Sequence, residues 1–333
     1  MSRNITDHQS NPAERAGLLA TPLRIAITGS SGLVGRRLVN ALRADGHEVI
    51  RLVRTMSTAH DEIFWNPDRS MIDAASLEGV DAVVNLAGVS IFGARWTERR
   101  KKAIRESRVN GTDLLARSLS GLSRRPRVLV STSAVGYYGS RGTEMLTEES
   151  APGDGFLAGV VRDWEAAATP AAEAGIRVVH PRFGVVLAHE GGMLPLVALP
   201  FRFGVGGPLG NGRQYMSWIG LADLVELLRQ AIADEALQGP VNAVAPDAVT
   251  NAEFSATLAR VLGRPSFLRL PERVMRLAGG QLADELILVS QRVVPAKLLE
   301  QDFQFSYPTL DRALRHELGR EDDARDIEPG SLD

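Results

Sequence analysis

The residues that could do chemistry begin with a glycine-rich turn, Thr28-Gly29-Ser30-Ser31-Gly32-Leu33-Val34-Gly35, between an apolar strand-like run and a helical one. In this spacing Gly29 permits a tight turn, Gly32 lets the backbone approach a pyrophosphate, and Gly35 lets helix and strand pack closely. The N-terminus of the helix then offers free N–H groups and a positive dipole end to phosphate oxygens. Three glycines alone are a weak signal, but their place after an N-terminal strand predicts a dinucleotide-binding turn.

The end of the second apolar run, Leu52-Val53-Arg54, bears on which dinucleotide binds. Proteins that bind NAD usually place Asp or Glu about 20 residues past the motif, where the acid holds the ribose 2′-hydroxyl. This chain has no acid there, and Arg54 could clamp a 2′-phosphate bidentately, with Arg36 or Arg51 assisting. The sequence therefore favours NADP over NAD. The alternative interpretation of Arg54 is a solvated arginine at a strand end.

The elements that must position these residues alternate between short apolar runs and longer amphipathic ones. We predict strands at Leu23–Thr28, Glu48–Val53, Ala82–Leu86, Arg127–Ser131 and Ile176–His180. We predict helices at Leu33–Ala44, Thr97–Leu119 and Phe156–Ala174. Such a succession predicts an α/β fold with a Rossmann-type, doubly wound parallel sheet and right-handed crossovers.

The pattern changes after the last of these strands. Glycines and prolines cluster between residues 191 and 212, a helix is predicted at Leu221–Asp234 and a strand at Val241–Val244, and helices dominate from there. We expect a disordered N-terminal tail at 1–21 and the dinucleotide-binding domain at 22–190. A smaller mixed or helical C-terminal lobe should follow at 191–319, with some segments returning to the sheet, and an acidic tail at 320–333.

Composition narrows the partners. The chain has 333 residues, a net charge of −2 and no cysteine. The charge provides no global basic field for nucleic acid or a membrane, and no apolar run approaches the ~20 residues of a membrane span. The lack of cysteine excludes disulfides and thiolate sites and is consistent with a reducing cytoplasm. We therefore expect a cytoplasmic protein with a small-molecule substrate and no nucleic-acid, membrane or metal partner.

Several motifs, spread over nearly the whole chain, share a resemblance to one family. They are TGSSGLVGRRL from Thr28, Phe64-Trp65-Asn66-Pro67, Asn85-Leu86-Ala87-Gly88, Ser131–Gly139 (STSAVGYYG), Arg162-Asp163-Trp164-Glu165, Gly206–Gly212 (GGPLGNG) and Ala283–Leu310. With them the chain resembles the extended short-chain dehydrogenase/reductases, and more narrowly their atypical epimerase-family branch, the nucleoside-diphosphate-sugar epimerase-like proteins. Ala283–Leu310 resembles the small C-terminal domain of that branch.

The resemblance implies a seven-stranded Rossmann sheet and a C-terminal lobe that binds substrate. It also implies that the segment Leu86–Gly88 lines the phosphate and ribose on the nicotinamide side. Together with the glycine turn, the expected cofactor-binding residues are Gly29, Gly32, Leu33, Val34, Gly35, Arg54, Leu86, Ala87, Gly88, Arg108 and Val185.

Catalysis is where the chain departs from the family. Hydride-transfer members use a Lys that lowers the pKa of a Tyr, the Tyr as general acid/base, and a Ser that polarises the substrate oxygen. Ser133 lies where that serine is expected, but Leu157 and Val161 occupy the positions of the Tyr and the Lys, and neither can move a proton. Ser133 and Tyr138 are the candidate catalytic residues. A strand-terminating serine and a packing tyrosine are the alternatives.

We therefore expect an NADP-dependent oxidoreductase or epimerase of the extended short-chain dehydrogenase/reductase type, acting on an unknown small molecule. The main alternative is a sensor or regulatory protein that binds the dinucleotide without turning it over, which the missing Tyr and Lys favour. A homodimer is compatible with either hypothesis.

Overall fold

The computed structural model describes residues 21–92 and 95–321. The tails predicted at 1–21 and 320–333 therefore lie outside the described residues, apart from Thr21, Arg320 and Glu321. Within the described ranges, no helix combines the length and the apolar character needed to cross a bilayer.

Strands and helices alternate from the first described residues onward. The strands are β1 (Arg24–Thr28), β2 (Glu48–Val53), β3 (Glu62–Asn66), β4 (Met71–Ile72), β5 (Ala82–Asn85), β6 (Val128–Ser131), β7 (Ser133–Ala134), β8 (Met145–Leu146), β9 (Arg177–Phe183), β10 (Val185–Leu187), β11 (Tyr215–Met216), β12 (Trp218–Gly220), β13 (Gly239–Ala243), β14 (Val249–Thr250) and β15 (Arg292–Val293).

The helices are α1 (Leu33–Ala44), α2 (Glu98–Ser120), α3 (Phe156–Ala166), α4 (Thr169–Glu173), α5 (Leu194–Arg202), α6 (Leu221–Ala233), α7 (Asn251–Leu262), α8 (Glu272–Gly279), α9 (Ala296–Glu300) and α10 (Leu310–Glu317). Short 3-10 turns lie at Pro67–Arg69, Ala75–Leu77 and Val135–Tyr138, and a π-helical turn lies at Ala283–Ile287.

The central sheet has the strand order β13-β9-β6-β5-β1-β2-β3-β4. Neighbours from β13 to β3 pair in parallel, and only the short β4 at the edge is antiparallel. The strand order reverses between β1 and β5, so the crevice for a ligand lies outside their carboxyl ends. The predicted α/β fold with a Rossmann-type parallel sheet is confirmed.

Helices cover both faces of this sheet. Because side chains along a strand point alternately to opposite faces, Ile25 and Ile27 of β1 pack with α1 and α6, whereas Ala26 packs on the side of α2 and α4. A separate apolar cluster holds the C-terminal lobe together, around the buried Trp218 and Phe254. The strands are therefore held between two layers of helices, and their carboxyl ends are fixed in position.

Two differences between the predicted and the observed elements have a local cause. The helix expected over Phe156–Ala174 is two helices, α3 and α4, because Pro170 sits in the first turn of α4 and a proline ring cannot continue a helix from the preceding turn. Strand β3 was not predicted, since Glu62–Asn66 is short and only Ile63 and Trp65 are buried.

The sheet is not complete at residue 190, where the dinucleotide-binding domain was expected to end. β13, from the C-terminal part of the chain, forms its edge beside β9, with Asn242 opposite Arg182. This pairing brings a side chain from residue 242 to the same place as side chains from β7 and α3.

Candidate active site

The glycine turn is formed by backbone that other residues cannot replace. Gly29 has a φ of +66°, and a Cβ there would lie 2.7 Å from the carbonyl oxygen of Leu86. A Cβ at Gly35 would lie 2.2 Å from the carbonyl oxygen of Gly29. A side chain at Gly29 would push the turn away from the loop after β5, and one at Gly35 would push α1 away from the turn. These glycines therefore let β1, α1 and the loop after β5 meet closely.

The N-terminus of α1 is available to an anion. Gly32 is its N-cap residue and makes no side-chain capping bond, and the first turn contains no acidic residue. The N–H groups of Leu33 and Val34 open the helix at the carboxyl edge of the sheet. Together with the close approach at Gly29, this geometry fits a pyrophosphate, because such a terminus carries unsatisfied donors and a partial positive charge.

A buried hydrogen-bond network holds the loop after β5. The Thr28 hydroxyl donates to Asn85 Oδ1 at 2.7 Å and accepts from the N–H groups of Leu86 and Ala87 at 3.0 and 3.1 Å. The Asn85 amide donates to the Thr112 hydroxyl at 2.8 Å. The loop expected to line the nicotinamide-side ribose is thus fixed from below by two strands and a helix.

Arg54 follows β2 directly and is exposed, and no hydrogen bond or ion pair is found for its side chain in the described part of the chain. Arg51, by contrast, is paired with Asp61 at 3.1 Å and with Glu62 at 2.8 Å. Arg36 donates to the carbonyl oxygen of Ser31 at 3.3 Å. Of the three arginines considered for a 2′-phosphate, Arg54 is the uncommitted one, and Arg51 is held by carboxylates.

Arg108 braces the loop after β5. Its Nη1 donates to the carbonyl oxygens of Val89 and Ile104 at 3.0 and 3.1 Å, and its guanidinium lies 5.1 Å from the Trp164 ring centre. Burial and the nearby charge of Arg100 lower the pKa of Arg108 to about 10. Its contact with a cofactor stays a prediction, since the observed bonds are to the protein backbone.

Val185 lies in β10, beside Trp218 of β12, and is half-buried. The chain after β10 then returns to the glycine turn, because Cβ atoms at Gly191 and Gly192 would each lie 3.4 Å from the Leu33 side chain. The segment that follows Val185 therefore reaches Leu33, one of the predicted cofactor residues at the start of α1. Contact of Val185 with a cofactor also stays a prediction.

Ser133 belongs to a buried charged cluster. Its hydroxyl donates to Glu165 Oε1 at 2.5 Å, and Arg182 donates to both oxygens of the same carboxylate at 2.8 Å. The Arg182 and Glu165 side chains are 3% and 15% exposed. Burial raises the pKa of Glu165, but the bonds and charge of Arg182 outweigh it and hold that pKa below its usual range. Ser133 therefore faces a carboxylate anion.

Tyr138 is fully buried behind this cluster. Its hydroxyl donates to Asn242 Oδ1 at 2.7 Å and accepts from Arg182 Nη1 at 2.9 Å. Burial raises the pKa of Tyr138 to about 12, although Arg182 and Asn242 oppose the shift. A phenol with 0% exposure and both bonds satisfied has no geometric support as a proton donor to substrate. The role of Tyr138 in catalysis stays a prediction, and its observed role is to connect Arg182 to β13.

Leu157 and Val161 lie on α3, against the 3-10 turn that carries the tyrosines. A Cβ at Gly136 would lie 3.6 Å from Leu157 Cβ and 3.8 Å from a Val161 methyl. The Glu285 carboxylate, from the C-terminal lobe, accepts from the N–H groups of Phe156 and Leu157 at 3.1 and 2.7 Å. The positions of the usual Tyr and Lys are therefore apolar.

Sequence reasoning missed the pairing of Arg182 with Glu165. Glu165 was noticed only as part of a motif, and Arg182 was assigned no role. The signal was present in β9, since an arginine inside a strand of a two-sided sheet is buried only when a carboxylate pairs with it. That signal demands a partner but does not say which of the chain's acids provides it.

Stability should fall in mild acid because of His180 beside this cluster. Burial, assisted by Arg182, lowers the pKa of His180 despite Glu165 and a 3.3 Å contact with the Ser131 carbonyl oxygen. Below about pH 6.5 the unfolded chain binds a proton that the folded His180 does not, so up to ~1.4 kcal/mol is lost per pH unit until the folded pKa is reached. Urea unfolding from pH 7.5 to 5 should show this slope.

The His180→Gln variant should have a flatter profile, and the same change at the exposed His60, which lies outside this cluster, is the matched control. Equal slopes in the chain and in His180→Gln would contradict the assignment.

Two family models match the chain. Residues 25–244 match the NAD dependent epimerase/dehydratase family, and residues 270–317 match a domain of unknown function, DUF1731. Among relatives, an epimerase family protein of Mycobacterium bovis is 45% identical over 290 residues, 87% of this chain and 96% of the relative. The human epimerase family protein SDR39U1 is 36% identical over 296 residues, 88% of this chain and 99% of the relative.

Solved structures agree with these matches. Human SDR39U1, crystallised with NADPH, is 37% identical with a TM-score of 0.82, and the alignment covers 89% of this chain and 99% of that one. A nucleoside-diphosphate sugar epimerase from Corynebacterium glutamicum is 41% identical with a TM-score of 0.77. That alignment covers 92% of this chain, which spans 60% of the bacterial protein. The chain, with its parallel sheet, glycine turn and C-terminal lobe, belongs to the NAD-dependent epimerase/dehydratase family and carries its DUF1731 domain at the C-terminal end.

Proposed function

We propose that this protein is an NADP(H)-dependent oxidoreductase or epimerase that acts on a small molecule. The observation that carries the proposal is the pair formed by the uncapped N-terminus of α1 and the uncommitted Arg54 at the end of the neighbouring strand. One can hold a pyrophosphate and the other a 2′-phosphate. The NADPH in the crystals of the human relative supports the same choice of dinucleotide.

The bound nicotinamide would supply or accept the hydride. The chain's own residues would orient it, because Leu86 and Ala87 are fixed by the Thr28 hydroxyl and Arg108 holds the backbone of Val89. Substrate would enter between the carboxyl edge of the sheet and the C-terminal lobe, the usual crevice of open parallel sheets. Rigid positioning of this kind lowers the entropy cost of reaching the transition state.

Proton transfer would have to differ from the common route. Leu157 and Val161 offer no proton. Of the two predicted catalytic hydroxyls, both buried, we retain that of Ser133, because Ser133 lies just after the carboxyl end of β6. That hydroxyl donates to Glu165, so a substrate oxygen would compete with the carboxylate for its hydrogen. Ser133 would then act as a hydrogen-bond donor held in place by a buried anion, with solvent completing the transfer.

Replacing Tyr138 by Phe should leave any turnover within about twofold. The hydroxyl is buried, and its loss removes bonds to Asn242 and Arg182 but no contact with the crevice. The free energy of unfolding should fall by ~1–3 kcal/mol, because two buried polar groups lose a partner. Steady-state rates together with thermal unfolding separate the two effects. A rate loss of a hundredfold in a folded variant would restore Tyr138 as a proton donor.

A second candidate function is a sensor that binds the dinucleotide without turnover. It is favoured by the apolar side chains at positions 157 and 161 and by the Ser133 bond to Glu165. Both candidates require the same binding site and differ only in chemistry.

Fluorescence titration with NADPH and NADH tests the shared part. We expect NADPH to bind more tightly, and equal affinities would contradict the role of Arg54. A screen of NADPH oxidation against aldehydes, ketones and quinones, with NADP⁺ reduction against alcohols, then tests the chemistry. Tight binding with no turnover across the screen would replace the enzyme hypothesis with the sensor.

A further inference from the structure

Large apolar side chains are exposed mainly in two segments, residues 196–205 and 267–277. They hold nine of the fourteen large apolar side chains that are exposed in the described chain, four in the first segment and five in the second. The most exposed are Leu277 at 82%, Phe203 at 77% and Phe267 at 72%. Single exposed apolar residues need no explanation, but a concentration of this kind marks an interaction surface.

The second segment is joined to the chain directly after the first, at residues 206–210. The Leu268 N–H donates to the Gly206 carbonyl oxygen at 3.3 Å, and the Leu270 N–H donates to the Pro208 carbonyl oxygen at 3.1 Å. The Gly210 N–H donates back to the Leu270 carbonyl oxygen at 2.9 Å. Because the backbones are joined, we call the exposed side chains of residues 196–205 and 267–277 the apolar patch.

Helix α5 shows that the patch is not an ordinary surface. Its inner face buries Leu194, Ala198 and Phe201 in the core of the C-terminal lobe. Its outer face exposes Leu196 and Leu199, at 61% and 51%. A surface helix of a monomer usually has a polar outer face. Here the outer face exposes two leucines and a single charged residue, Arg202, and so much exposed apolar surface on one helix points to a partner.

The charges around the patch are mostly positive. Arg202, Arg264, Arg269 and Arg273 are exposed, and none forms an ion pair in the described part of the chain. In the stretches 194–205 and 264–277 the single acid is Glu272, which pairs with Arg276 at 3.3 Å. The overall charge of −2 led to the expectation of no membrane partner, but the structure collects arginines, without matching acids, around exposed phenylalanines and leucines.

These features select the kind of partner. A second copy of the chain, joined by a two-fold axis through the patch, would bring two sets of the same arginines into one interface with a single acid in each copy's segments, and an excess of like charge across an interface is unfavourable. An anionic lipid surface can bind both the apolar side chains and the arginines around them. Leucine and phenylalanine enter the acyl boundary, while arginines stay at the headgroup phosphates. We propose that the apolar patch binds peripherally to anionic membrane surfaces, without crossing them.

Vesicle flotation tests the proposal on the full chain. We expect the protein to float with phosphatidylcholine vesicles that contain about a third phosphatidylglycerol, and to lose that binding at ~1 M salt, where charges are screened beyond about 3 Å. Replacing Phe203 and Phe267 together by Ser should lower the bound fraction at least tenfold. Arg269→Gln with Arg273→Gln should lower the partition coefficient between vesicles and water by about fivefold for each arginine removed.

Leu299→Ser with Arg69→Gln is the matched control, since both side chains are exposed and lie outside the patch. It should float like the unchanged chain, and NADPH titration of every variant checks that the fold is kept. Absence of flotation with anionic vesicles overturns the proposal. So does a dimer, detected by light scattering, that the Phe203/Phe267 variant converts to a monomer, because the patch would then be covered by a second copy. Binding to pure phosphatidylcholine that the arginine variant leaves unchanged overturns the anionic part.

Discussion

Replacing Arg182 by Met is expected to lower the free energy of unfolding by ~3–5 kcal/mol, because it leaves the Glu165 carboxylate buried without its counter-charge. Arg182 donates to both oxygens of that carboxylate at 2.8 Å and to the Tyr138 hydroxyl at 2.9 Å. Ser133 alone cannot neutralise the anion. Chemical denaturation at pH 7 measures the loss.

The double variant Arg182→Met with Glu165→Gln should recover most of this loss, since no buried charge is left unpaired. The matched surface control is Arg117→Met, which breaks an exposed pair with Asp113 at 2.9 Å in α2. That change should cost no more than ~0.5 kcal/mol. Similar losses of unfolding free energy in Arg182→Met and Arg117→Met would contradict the stabilising role of the buried pair.

The sign of the pH dependence follows from the lowered pKa of Glu165 in the folded chain. The stabilisation by Arg182 is complete above the unfolded pKa, ~4.3, and is lost as the pH falls through the folded value. The difference in the free energy of unfolding between the unchanged chain and Arg182→Met should therefore become smaller below about pH 4. A difference that widens in acid would contradict the direction of the shift.

Replacing Arg54 by Ala is expected to weaken NADPH binding about tenfold or more and to leave NADH binding unchanged. A charge-assisted bond to a 2′-phosphate contributes ~1.5–3 kcal/mol, and NADH lacks that phosphate. Arg54→Lys should recover part of the loss, because an ammonium keeps the charge without the planar fork. Fluorescence or calorimetric titration of both dinucleotides gives the ratio.

Arg51→Ala is the matched control, since Arg51 lies in β2, three positions before Arg54. Its guanidinium is held by Asp61 and Glu62, so its removal should change the ratio of NADPH to NADH affinity by less than about twofold. If Arg54→Ala lowers the affinity for both dinucleotides equally, Arg54 supports the turn and does not read the 2′-phosphate. If Arg51→Ala changes the ratio of NADPH to NADH affinity more than Arg54→Ala does, Arg51 binds the 2′-phosphate and Arg54 does not.

Local patterns in the sequence determined the first half of the sheet and the turn that follows it. The α1 helix was predicted with the observed ends, Leu33–Ala44, and β2 was predicted with the observed ends, Glu48–Val53. Periodicity and glycine positions are enough there, because strand, turn and helix are set by neighbours in sequence. The same local logic failed at Glu62–Asn66, where a strand with two buried side chains depends on pairing with β2.

The candidate active site was only partly readable in this way. The sequence by itself determined that a glycine turn precedes α1, that an arginine stands where an acid is usual, and that Leu157 and Val161 replace a proton-transfer pair. Only the tertiary structure decided that Ser133 faces Glu165, that Arg182 joins it to Tyr138, and that Asn242 closes the network from β13. The physical reason is that the partner of a buried charge is set by which groups the fold brings within hydrogen-bond distance. The sequence indicates only that each buried charge needs a partner.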